Sequence, residues 1–392
     1  MSFKTDALKR LDSVLGAVLC RVAAAVVKPR KAAATPLPSR SSPLEICPDP
    51  KILVIRPGGI GDAALLFPAL KALRDAFPAA RIDVLAEKRN GGILVGCPFI
   101  NATMLYDSNP PIVLLRALRK GYDIVLDTEQ WHRLSALLAY LTRAPVRVGF
   151  DTNDRGAMFT HRVAYSHGEY EAKSFLSLVT SLTGVEYGFD AESRFIPPLA
   201  SDGAGSSPLE SEIARLRLEC GSLVGIFPGA TVPERMWGVG SFSLLAERFA
   251  GAGIGVVILG GKAEAEDGIR LEKAVDGGKA LNLTAKTYLM ETAAVISLLD
   301  LFVTADTGLL HVAYGVGTPT LSLFGAGIEE KWAPRGASHR VINKRPPCSP
   351  CTRFGYTPKC PYGVKCLGDI TPDEVFEEAL TMLASVEKQP SP

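Results

Sequence analysis

Short apolar runs, each ended by glycine, proline or a charged residue, recur along this chain with stretches of helical spacing between them. The first, residues 51–56, has no alternation of polar and apolar positions and predicts a buried strand. It enters Pro57-Gly58-Gly59-Ile60-Gly61-Asp62, after which Leu65, Leu66, Leu70, Leu73 and Phe77 predict a helix over 63–77. Further strands are expected at 82–86, 103–106, 122–127 and 146–150, with helices near 112–119 and 134–141. The pattern restarts after 197–208, a stretch of proline, glycine and serine, with strands at 223–227, 255–259, 280–283, 301–305 and 320–324. Strands alternating with helices define an α/β chain with parallel sheets covered on both faces.

Residues 1–47 stand apart from this pattern. The segment 11–27 is mostly apolar but contains Asp12 and Arg21, and it is shorter than the ~20 residues of a spanning helix. Basic residues flank it (Lys4, Lys9 and Arg10 before, Lys28, Arg30 and Lys31 after), which suits the surface of an anionic membrane. The alternative is a helix packed on the protein body, or a leader. No cleavable signal is evident, and residues 32–50 read as a linker. The domains are then expected at 48–200 and 208–392, and the site at the cytoplasmic side, peripheral on the inner face of a bacterial inner membrane.

Composition narrows the class. A chain of 392 residues with 47% hydrophobic and 21% charged residues is globular and long enough for two domains. A formal net charge of +2 offers no broad field for nucleic acid.

Ligands of parallel sheets bind at strand carboxyl ends, and three loops there carry candidate chemistry. In the first, Gly58, Gly59 and Gly61 allow close backbone approach, although the full dinucleotide pattern is absent. Glu87, near the end of the second strand, keeps a nicotinamide-dependent oxidoreductase as an alternative. Asp62 reads either as a helix N-cap or as a carboxylate taking a proton from a substrate hydroxyl. In the second, Pro228-Gly229-Ala230-Thr231 precedes Arg235 and Trp237, a small-residue loop beside a guanidinium suited to phosphate. In the third, Asp306-Thr307-Gly308-Leu309-Leu310-His311 joins a strand to a helix whose first-turn N–H groups suit an anion. His311 reads either as a ligand-side group or as a packed core histidine. Two such domains would offer two substrates a cleft between them.

These motifs resemble those of the family-nine glycosyltransferases, the ADP-heptose:lipopolysaccharide heptosyltransferases and their relatives. The resemblance rests on 55–63 with Pro68-Ala69-Leu70, on Pro228-Gly229-Ala230 with Arg235-x-Trp237, and on Asp306-Thr307-Gly308-x-x-His311 followed by Gly317-Thr318-Pro319 and Phe324-Gly325. It covers about residues 51–384. It implies two Rossmann-like domains facing across a cleft (GT-B fold), and inverting transfer from a nucleotide-diphospho-sugar to a glycolipid hydroxyl with no cofactor required. By position it implies Asp62 as base, Arg235 in place of the family's phosphate-binding Lys, and Thr307, Gly308 and His311 in the donor-diphosphate loop. Asp306 is then left to shape that loop. Glu264 or Glu266 falls near the acidic position that holds the donor nucleoside. The chain has no Asp-x-Asp motif, in agreement with metal-free transfer. A non-catalytic nucleotide-sugar-binding protein is a further alternative.

Cys348, Cys351, Cys360 and Cys366 crowd one turn-rich stretch, and four thiolates at such spacing could close a structural zinc site. Free or reversibly oxidised thiols are the other reading. A last helix is expected from Pro372 to about residue 385, crossing back to the first domain as in folds of this kind.

Overall fold

The computed structural model describes residues 12, 16–26, 49–198, 208–275, 277–353 and 356–386. The chain divides into two compact units between Phe189 and Asp190, ahead of the 197–208 stretch. Each unit is built on a six-stranded sheet.

The first sheet contains β1 (Lys51–Arg56), β2 (Arg81–Ala86), β3 (Ala102–Leu105), β4 (Ile124–Asp127), β5 (Val146–Phe150) and β6 (His161–Val163), in the order β3-β2-β1-β4-β5-β6. All its pairings are parallel. The second contains β7 (Leu223–Phe227), β8 (Gly255–Ile258), β9 (Ala280–Asn282), β10 (Leu301–Ala305), β11 (Thr320–Phe324) and β12 (His339–Asn343), in the order β12-β11-β10-β7-β8-β9. It too is parallel throughout. Read from their own first strands, the two sheets share one order, that of the dinucleotide-binding fold. Its reversal points lie between β1 and β4 and between β7 and β10. Ile52 to Ile55 and all of β10 are buried, as unalternating sequences require when helices cover both faces.

Several elements depart from the sequence reading. The single helix expected over 63–77 is two, Ile60–Leu65 and Phe67–Ala76, with Leu66 between them. Pro68 in the first turn of the second helix lacks the N–H that a continuous ladder would need. Strands β6 and β12 and the helix Glu171–Thr183 were not foreseen. The last helix, Pro372–Val386, packs within the second unit. Its Val375, Ala379, Met382 and Leu383 join the core of the second unit with Val224, Ile226, Val303 and Leu321. The Trp237 indole donates to the Ile370 carbonyl at 2.9 Å just ahead of it.

Of the N-terminal segment, Asp12 and 16–26 are described, and the rest of the expected membrane-surface stretch lies outside the described residues. The helix Ala17–Val26 packs on the first unit, where Cys20 is fully buried in the core. Asp12 accepts the Leu134 N–H at 2.8 Å. Among the described residues no helix is long and apolar enough to cross a membrane.

Candidate active site

At the β1/β4 reversal point the first unit gathers charge around a buried arginine. Arg56, the last residue of β1, is 1% exposed and donates to the Pro57 carbonyl at 2.6 Å and the Thr128 carbonyl at 2.8 Å. Its Nη2 lies 3.3 Å from Glu129 Oε2, and its Nη1 lies 3.8 Å from Asp62 Oδ1. Burial opposes the guanidinium charge, but Asp62, Glu129, Glu171 and Asp127 outweigh it and hold Arg56 above the ordinary arginine value. Glu129 is also buried, which pushes its carboxyl up, yet Arg56, His132 and Arg155 carry it below the ordinary value.

Asp62 is not the helix N-cap. Gly59 holds that position, with extended backbone and no side-chain bond, and Asp62 lies in the first turn. Its Oδ1 accepts from Gln130 Nε2 at 3.1 Å. Gly58 has φ +104°, and a Cβ there would lie 3.3 Å from Arg56 Nη2, so a side chain is disfavoured on both counts. Gly61 is buried within the helix.

Glu87 is committed elsewhere. It caps the helix Lys88–Gly91, accepts the Gly58 N–H at 3.2 Å and the Tyr106 hydroxyl, and pairs with Arg89. A carboxylate so engaged is not free to hold a cofactor ribose, and this removes the main support for the oxidoreductase alternative.

The second unit repeats the plan at the β7/β10 reversal point. β7 ends at Phe227, whose carbonyl accepts from Thr304 Oγ1 at 3.0 Å, tying the two strand ends together. Arg235 lies in the turn Pro233–Arg235, and its Nη1 is 3.3 Å from Asp306 Oδ2. Arg235 Nε is buried without a hydrogen-bond partner. Thr307 is the N-cap of the helix Gly308–Gly315, whose first-turn N–H groups have no intrahelical acceptor. Leu309 is buried beside it. Asp306 fills the space above Gly327, where a Cβ would fall 2.0 Å from its Oδ2.

Not all expected residues converge here. His311 is 3% exposed, with its ring 5.9 Å from that of Trp332. Thr231 is exposed on its loop. Glu264 lies against the Pro228–Ala230 loop, 2.7 Å from where a Cβ on Gly229 would stand, and accepts the Gly261 N–H at 2.8 Å. Glu266 is exposed in the first turn of the next helix. Gln130 and Glu171 were missed by the sequence reading. Gln130 lies three residues past the carbonyl end of a central strand that ends at Asp127, and nothing in the local sequence marks it.

The thiols of Cys348, Cys351, Cys360 and Cys366 line one cavity of about 140 Å³. All four are free. Among the described residues no three His, Cys, Asp or Glu are grouped to hold a metal ion. Burial pushes the thiols of Cys351 and Cys366 up, and the neighbouring cysteines add to it.

Two units of dinucleotide-fold order, each with polar groups at its reversal point, define the GT-B class of two-substrate transferases. The chain belongs to glycosyltransferase family 9 (heptosyltransferase), which matches residues 112–360, and it is a glycosyltransferase. It is 29% identical over 295 residues to lipopolysaccharide heptosyltransferase 3 of Escherichia coli, covering 70% of this chain and 83% of that protein. It is 24% identical over 349 residues to lipopolysaccharide heptosyltransferase 2 of Salmonella typhimurium, covering 85% and 99%. The solved structure of E. coli ADP-heptose lipopolysaccharide heptosyltransferase II matches with a TM-score of 0.65 at 23% identity, over 86% of this chain and 99% of that one.

Proposed function

We propose that this enzyme transfers heptose from ADP-heptose to a lipopolysaccharide-type glycolipid, with inversion and without a catalytic metal. The observation that carries the reading is Arg235, whose buried and unpartnered Nε stands beside a helix N-terminus at the β7/β10 reversal point. As the sugar–phosphate bond breaks, charge grows on the diphosphate. A guanidinium and prepositioned N–H donors stabilise that charge without a metal. Thr307, Gly308 and Leu309 supply the donors, and Glu264 beside the Pro228–Ala230 loop suits the donor nucleoside. Asp62 takes the proton of the acceptor hydroxyl, which then attacks the sugar from the face opposite the diphosphate and inverts the anomeric carbon. The relatives' names supply the heptose and the lipopolysaccharide. A lipid-borne acceptor puts the reaction at a membrane surface, reached peripherally.

Asp62→Asn tests the base. With ADP-heptose and a lipopolysaccharide acceptor, kcat is expected to fall about 100- to 10,000-fold, the range of general-base contributions, while calorimetric affinity for ADP is retained. Unchanged turnover removes Asp62 from the chemistry. Titration with NAD gives no binding on this reading, and tight NAD binding that ADP does not displace would return the oxidoreductase.

A further inference from the structure

Asp62 does not stand alone, and the side chain that holds it is itself held on every side. Gln130 Nε2 donates to Asp62 Oδ1 at 3.1 Å and also to Glu171 Oε1. Gln130 Oε1 accepts from Arg56 Nη2 at 3.5 Å. Its backbone N–H donates to Glu129 Oε1 at 3.1 Å, and its carbonyl accepts from Thr152 Oγ1 at 2.5 Å. The amide has one workable orientation, oxygen toward the guanidinium and nitrogen toward the two carboxylates. A flipped amide would set its oxygen against both of them.

The consequence falls on one carboxylate oxygen. Oδ1 of Asp62 is committed to Gln130 and lies 3.8 Å from Arg56. Oδ2 hangs over Gly59, 3.0 Å from where a Cβ would stand, on the side that only hydrogen covers. We propose that Gln130 is a positioning residue that turns the Asp62 carboxylate so that Oδ2 meets the acceptor hydroxyl, an inference that rests on Asp62 being the base. A neutral amide suits the task. It orients the carboxylate by hydrogen bonding and brings no positive charge of its own to weaken the base. It also separates Asp62 from the buried Glu171, where two bare carboxylates would repel each other.

Gln130→Met keeps the length and removes the donors. Turnover is expected to fall about ten- to a hundredfold, the cost of misplacing a reacting group by about 1 Å, with KM for ADP-heptose unchanged. The acid side of the kcat–pH profile moves to higher pH, because a donor that favours the carboxylate form is gone. With no substrate present, the carboxyl 13C resonance assigned to Asp62 by its loss in Asp62→Asn shifts in Gln130→Met. If that variant is insoluble, Gln130→Met/Glu171→Gln removes the buried charge left behind and is read the same way, against Glu171→Gln alone. An inactive Asp62→Asn together with an unmoved resonance and rate profile in the Gln130 variants overturns this inference alone. Undiminished turnover in Asp62→Asn overturns the base, and this inference with it.

Discussion

Asp83 takes no part in the chemistry, yet it shows how single side chains set the acid limit of the first unit. It is buried in β2, which pushes its carboxyl up. Hydrogen bonds from Lys120 at 2.6 Å and Tyr122 at 2.9 Å, with Arg81 nearby, more than reverse this and hold it below the ordinary value of 3.8. With the folded value below the unfolded one, the stabilisation is present at neutral pH. It is lost as pH falls below about 4, where the unfolded chain binds the proton first. Lys120→Met should cost about 1–3 kcal/mol at pH 7, and urea unfolding should show the gap to the parent closing as the pH is lowered. A gap independent of pH would mean that lost packing, not charge, explains it. Arg235 is the counterpart in the second unit. Arg235→Ala removes charge-assisted bonds worth about 1.5–3 kcal/mol and bares Asp306, so calorimetry should show ADP bound at least about tenfold more weakly. Unchanged affinity would take the diphosphate away from this arginine.

Among elements, the loop after β11 sets the place of Asp306. Gly327→Ala must displace Asp306, since the added Cβ would fall 2.0 Å from its Oδ2. The expected outcome is a loss of about 1–3 kcal/mol and weaker ADP binding, measured by denaturation and calorimetry. Gly240, in the helix Val239–Gly251 with nothing within 4 Å of an added Cβ, is the control and should be neutral or slightly stabilised as Ala. The same distinction between crowded and open positions bears on what the sequence reveals. Central strands such as β1 and β10 were legible because burial on both faces leaves unbroken apolar runs. The edge strands β6 and β12 were not, since neither has a fully buried residue and so neither leaves an apolar run. The glycine loops and the Asp306–Gly308 turn were legible because backbone geometry restricts residue type there. Gln130 was invisible because its meaning depends on Arg56, 74 residues away, and no local pattern marks a glutamine.

For the molecule as a whole, the two units differ in how the chain closes them. The first is made from residues up to Phe189. The second takes core residues from both sides of its sheet sequence, with Ile213 and Leu216 packed ahead of β7 and Val375, Ala379, Met382 and Leu383 following β12. Removing residues 372–386 should leave the first unit resistant to limited proteolysis and the second digested. Equal survival of both halves would show that the terminal helix is dispensable.

The packing of that helix turns position along the chain into order in time. Synthesis runs from the N-terminus, so the first unit has all its strands in hand while the second is still being made. Val224, Ile226, Val303 and Leu321 of β7, β10 and β11 emerge well before Pro372–Val386 arrives to cover them. Until then a flat apolar face stands open to chaperones and to neighbouring chains. A late frameshift would therefore yield a folded half joined to a sticky one, and the burden on the cell would come from aggregation more than from lost catalysis.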